Sequence, residues 1–113
     1  MSNSILKNID LSTPLDLRAL VAYQEGQIVS RTLAQNNAVS LTLFAFAEGE
    51  EISSHASKGD AMVQVLDGTA RITVGETEHR LTAGQTIVMP AGVPHALFAL
   101  EPFQMLLTVV FPR

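Results

Sequence analysis

Residues 49–99, GEEISSHASKGDAMVQVLDGTARITVGETEHRLTAGQTIVMPAGVPHALFA, decide the fold of this chain. Turn-forming residues recur at Lys58-Gly59-Asp60, Asp67-Gly68, Gly75-Glu76 and Ala83-Gly84, and between them apolar side chains alternate with polar ones. Such alternation is the period of a strand with one face buried, and turns at this spacing fold the strands antiparallel onto one another. The cleanest segment is 69–74, where Ala70, Ile72 and Val74 alternate with Thr69, Arg71 and Thr73. The pattern predicts an all-β domain, a small antiparallel barrel or sandwich. His55 and His95 stand at opposite ends of it.

Working outward, strands are expected at 61–66, 69–74, 77–81 and 86–89, with Gly84 permitting the bend before the last. Pro90-Ala91-Gly92-Val93-Pro94 forms a rigid turn that delivers His95 inward. Residues 39–47 and 103–111 read as strands with apolar side chains on both faces, which points to cover by a second sheet or a second subunit. Asn36-Asn37 marks the turn before the first of these, since Asn tolerates left-handed backbone angles. Further upstream, VAYQ, Glu25-Gly26 and QIVSRTLAQ read as a hairpin with a two-residue turn. Residues 1–20 form an N-terminal arm, polar with isolated anchors such as Ile5, Leu6, Ile9 and Leu11, crossing either its own barrel or a neighbouring subunit. Within the arm, Thr13-Pro14 opens a short helix with Thr13 as cap, or the segment stays extended. The barrel domain is assigned to 21–113.

Composition narrows the function classes. The chain has 113 residues, 47% of them apolar, and a net charge of −4 with only seven Lys or Arg, which are scattered. No basic face exists to neutralise a phosphate backbone, so nucleic acid is not an expected partner. The apolar content is high for one small domain and suggests a homodimer. Cysteine is absent, which removes disulfides, thiolate metal sites and thiol nucleophiles together. With no secretory leader pattern and no long apolar run, the expectation is a soluble cytoplasmic protein that does not enter a membrane.

The quoted stretch resembles the cupin superfamily, which two motifs mark. In the first, a Gly is followed by His-x-His, a Glu and a second Gly; Gly49, His55 and Gly68 fall in register, with Ser57 at the second histidine and Ala61 at the glutamate. In the second, Gly84, Pro90, Gly92 and His95 all match in spacing, and Ala99 stands where the pattern has Asn. The resemblance implies a jelly-roll barrel, the double-stranded β-helix, with both histidines facing its interior. It also implies a metal shell, of which Ser57 and Ala61 replace two members.

Neutral imidazole binds first-row metals and also moves protons near pH 7, so His55 and His95 are candidates for a shared site. Read singly, each is a core histidine satisfied by one hydrogen bond; their motif positions favour the shared site. Ser57 and Met89 are the further candidates for substrate contact. A divalent ion, Zn, Fe, Mn or Ni, needs three or more protein ligands. Gln64, Asp60 or His79 would have to complete the set, and Gln64 faces away from Ala61 and Val63 unless a bulge near Gly59 changes the parity. Asp60 reads more simply as a turn residue accepting a backbone hydrogen bond, and His79 as a surface histidine. Met62, Met89 and Met105 read as core or pocket lining. The functional expectation is a barrel cavity that takes a small molecule, with or without a divalent metal, as a dioxygenase- or isomerase-type enzyme. The alternatives are a non-catalytic ligand-binding or sensing barrel and a structural dimerisation domain.

Overall fold

A computed structural model describes residues 5–113 of the chain, so the first four residues of the expected arm lie outside the described residues. The arm contains a 3-10 turn at Leu17–Leu20, and nine strands follow it. They are β1 (Ile28–Gln35), β2 (Val39–Phe46), β3 (Glu51–His55), β4 (Asp60–Asp67), β5 (Thr69–Val74), β6 (Thr77–Thr82), β7 (Thr86–Met89), β8 (His95–Ala99) and β9 (Phe103–Val110). They form two antiparallel sheets, ordered β1-β2-β9-β4-β7 and β3-β8-β5-β6, which is the expected two-sheet all-β barrel. Among the described residues no helix is long and apolar enough to cross a membrane.

Alternation places the core. Along β4, Ala61, Val63 and Val65 are buried, and along β8 so are His95, Leu97 and Ala99. These residues, with Ala70 and Ile72 of β5, face each other between the sheets. One end of the interior is closed by Phe46 and Phe103, cross-strand partners whose rings stack with centroids 4.4 Å apart. Such an aromatic pair adds about 1 kcal/mol beyond its buried area. The turn from β4 into β5 needs glycine at position 68. Gly68 has φ +77°, and a Cβ there would sit 1.9 Å from the Pro102 carbonyl oxygen, so both backbone angle and space exclude a side chain.

The two-faced apolar pattern of β2 finds cover inside the chain. Phe46 lies in the inner core and Phe44 packs against it, while Leu43 and Ala45 face outward into a second cluster with Val21 and Leu33. Ile9, Leu17 and Leu20 of the arm pack onto that cluster, so the arm crosses its own barrel. Polar contacts hold it there. Lys7 N–H donates to the Leu33 carbonyl at 2.7 Å, and Arg31 donates to the carbonyls of Asn8 and Leu20. The amide of Gln104, buried on β9, donates to the carbonyls of Arg18 and Val21.

Several local expectations change. The hairpin expected from residue 21 does not form: Glu25-Gly26 is a turn, but among the described residues no strand precedes it. The Val21 carbonyl is taken by Gln104 and the Tyr23 hydroxyl by Asp67, so this segment's polar groups are satisfied by the barrel rather than by a ladder. The 3-10 turn is capped by Asp16, whose carboxylate accepts from Arg18 N–H, and not by Thr13, whose hydroxyl donates to the Leu11 carbonyl instead. The Asn36 turn is closed by its side chain, Oδ1 accepting from the N–H groups of Ala38 and Val39. Positive φ among the described non-glycine residues occurs at Asn8 and Ser12, not at Asn36 or Asn37.

Candidate functional site

His55 ends β3 and His95 begins β8. The two are Cα partners across the sheet, after a register shift between Ile52 and His55. Their rings meet edge to face, with centroids 4.4 Å apart and planes at 69°. Burial separates them: His95 is 3% exposed, whereas His55 is open to solvent.

The turn carrying His95 is held on both sides. Ala91 N–H donates to Asp60 Oδ1 at 2.8 Å, Gly92 N–H to the Ser57 carbonyl at 2.9 Å, and Gly75 N–H to the Pro94 carbonyl at 2.8 Å. Asp60 therefore accepts a backbone hydrogen bond, as expected of it, but as the first residue of β4 it accepts from Ala91 in the β7–β8 turn. Ser57 is fixed in the same way, its Oγ accepting from Gly59 N–H at 3.1 Å.

Both imidazoles turn Nδ1 toward the carbonyl of the residue two before them. The distance is 3.0 Å from His55 to Ser53 and 3.3 Å from His95 to Val93. A carbonyl only accepts, so Nδ1 carries the proton in each hydrogen bond, and in the neutral imidazole Nε2 then keeps the lone pair. Burial pushes the pKa of His95 below the ordinary histidine value of 6.5, and the neighbouring His55 pushes it the same way, against the hydrogen bond to Val93.

The pair opens onto a cavity of about 300 Å³. Its walls are apolar: Ile52 and Leu97 on the histidine sheet, and Ala61, Met89, Met105, Leu107 and Val109 on the other. Ser57 and Ala56 complete the rim. Of the residues singled out from the sequence, His55, His95, Ser57 and Met89 thus share one cavity. Gln64 does not: it pairs with Thr86 and Leu106, on the opposite face of β4 from the buried Ala61 and Val63. No bulge intervenes between β4 and β7, so the parity argued from the sequence holds and removes Gln64 as a third ligand. Met62 likewise faces outward on β4, and His79 is exposed on the edge strand β6. The walls supplied by Leu107 and Val109 were not legible, because β9 is apolar on both faces and its parity is hidden.

Among the described residues, no three His, Cys, Asp or Glu side chains gather as a metal would require. Two imidazoles, a serine hydroxyl and an alanine do not make the donor set of a protein-held divalent ion.

The chain belongs to the cupin family: the cupin domain model matches residues 42–111. Solved structures agree. A conserved protein of unknown function from Streptococcus pyogenes is 49% identical, with TM-score 0.95 over 97% of this chain and 96% of that one. A cupin superfamily protein from Desulfitobacterium hafniense is 33% identical, with TM-score 0.92 over 96% of this chain and 100% of that one. An RmlC-like cupin from Shewanella frigidimarina, 23% identical with TM-score 0.72 over 78% of this chain and 79% of that one, shares the fold. No curated protein matches.

Proposed function

We propose that this cupin binds a small, largely apolar molecule inside the barrel, with the molecule's polar end against His55 and His95. The observation that carries this reading is the contact between the two imidazoles at the rim of an otherwise apolar cavity of about 300 Å³. Concave, mainly apolar sites with a few convergent polar groups are the usual form of small-molecule sites. An empty apolar barrel stabilised only for its own sake has no use for a buried imidazole with a free lone pair. The test is calorimetric titration with neutral single-ring aromatic probes. Binding that Ala61→Phe abolishes, by filling the cavity, and that His55→Ala weakens supports the reading; binding unchanged in both variants places the ligand elsewhere.

A second reading, a metal-free acid–base enzyme of isomerase type, is favoured by the contact between one solvent-facing and one buried histidine. That arrangement suits the passage of a proton between a bound substrate and water. Substrate turnover lost in His95→Gln while binding persists would select it. Pairing with a second copy is part of the proposal as well, through Val88, the cross-strand partner of Met62, and Val110, which stay 52% and 57% exposed. Sedimentation at micromolar concentration tests that pairing.

A further inference from the structure

The hydrogen-bonding roles around the cavity are fixed before any ligand arrives, and they restrict what it can hold. Each imidazole spends its Nδ1 proton on a backbone carbonyl, so each in its neutral form offers an acceptor through Nε2. Ser57 is the complement. Its Oγ already accepts from Gly59 N–H, which leaves the hydroxyl proton to donate. Among the described residues, no Lys, Arg, Asp or Glu lines the cavity, and beyond these three side chains the wall is aliphatic or thioether.

From these roles we infer that the cavity is built for an uncharged molecule with an apolar body and a polar end pairing a hydroxyl with a carbonyl: a small hydroxyketone rather than a carboxylate, phosphate or sugar. This rests on the reading that the cavity binds a small molecule. The hydroxyl donates to an imidazole lone pair, and the carbonyl accepts from Ser57. With both imidazoles neutral, a carboxylate in the same place faces two lone pairs with a single hydroxyl as donor, and an anion so placed loses its hydration without compensation. A phosphate fares worse by its extra charge. A sugar brings several hydroxyls into a wall that offers partners for only a few, and each unpaired one is penalised. Size points the same way, since about 300 Å³ corresponds to roughly ten liquid-water volumes, room for one ring with a short side chain.

The test uses the full chain and four probes at a pH of about 8, where free histidine is neutral. They are phenacyl alcohol, which has both groups; acetophenone, which lacks the hydroxyl; benzyl alcohol, which lacks the carbonyl; and the phenylglyoxylate anion. Calorimetry is expected to rank phenacyl alcohol first, with acetophenone about tenfold weaker, as for one lost hydrogen bond, and phenylglyoxylate weaker still. Ser57→Ala is expected to weaken phenacyl alcohol severalfold and leave benzyl alcohol unchanged. The ranking on the unaltered chain stands whether or not that variant folds. Phenylglyoxylate equalling phenacyl alcohol, or acetophenone doing so, overturns the inference while the cavity reading survives. Failure of all four to bind overturns both.

Discussion

The carboxylate of Asp60, at the start of β4, accepts the N–H of Ala91, in the turn between β7 and β8, at 2.8 Å. This bond joins the wall of the cavity to the turn that delivers His95. The neighbouring bond from Gly92 N–H to the Ser57 carbonyl joins the same turn to the third polar group of the site.

Asp60→Ala is therefore expected to act on the site more than on the fold. Asp60 is exposed, so losing its bond costs about 1 kcal/mol of stability. The freed turn lets His95 shift, and probe affinity should fall severalfold. Asp60→Asn keeps an acceptor oxygen and should restore most of it. Thermal unfolding and calorimetry on the two variants check this; an Asp60→Ala protein with unchanged affinity would show that the other turn bonds suffice.

The arm is expected to be structural. Gln104 is 5% exposed, and its amide donates to two arm carbonyls at 3.1 and 3.0 Å. Its Oε1 has no partner among the described residues. Gln104→Ala removes both donors and leaves the buried Val21 carbonyl and the half-buried Arg18 carbonyl unpaired, a loss of roughly 1–3 kcal/mol. Deleting residues 1–21 should be more severe, since it uncovers Leu33, Leu43 and Ala45. Denaturant titration of the point variant and solubility of the deletion measure the two effects.

Much of this architecture was legible because alternation reports burial directly. Segments 69–74 and 86–89 have the bounds read from the sequence, and Gln64 was placed outward by parity alone. What stayed hidden depends on tertiary partners. The sequence shows that Leu41, Leu43 and Ala45 need cover, but cannot say that Ile9, Leu17 and Leu20 of the same chain supply it. Segment 21–24 carries a fair hairpin pattern, and the positions of Asp67 and Gln104, far along the chain, explain why the Tyr23 hydroxyl and the Val21 carbonyl are used otherwise. At the site, motif spacing brought His55, Ser57 and His95 together. The unequal burial of the two histidines follows from the β3 edge position and left no mark in the sequence.

Stability should depend on pH through His95. Its folded pKa lies below the ordinary 6.5, first from burial and then from His55. The unfolded chain thus takes up a proton that the folded one refuses. The stabilisation is complete above the unfolded value and is lost as pH falls through the folded one. Midpoint temperatures should decline from about pH 7 to 5.5, above the range where carboxylates titrate. His95→Gln should flatten that slope. An unchanged slope in the variant would assign the dependence to other groups.

Divalent metal binding should be weak in the natural chain and recoverable by substitution. His55 and His95 supply two imidazole donors, while Ser57 and Ala61 hold the positions where the cupin motif has a histidine and a glutamate. Without an anionic ligand, an ion in this apolar cavity keeps its full charge unneutralised, which disfavours it. Ala61 is 2% exposed, with Met89 and Val109 as its cross-strand partners. Ala61→Glu alone buries a carboxylate among apolar walls and should lower the midpoint temperature. Adding Ser57→His completes two more donors around the same space, so the carboxylate that destabilised the single variant becomes a ligand. With manganese or zinc at about a hundred times its dissociation constant, the double variant should gain about 2.7 kcal/mol. Thermal unfolding with and without metal, after chelator treatment, compares all three proteins. A large metal-dependent shift already present in the natural chain would mean that two imidazoles suffice here, and no shift in the double variant would mean that the four positions do not converge on one ion.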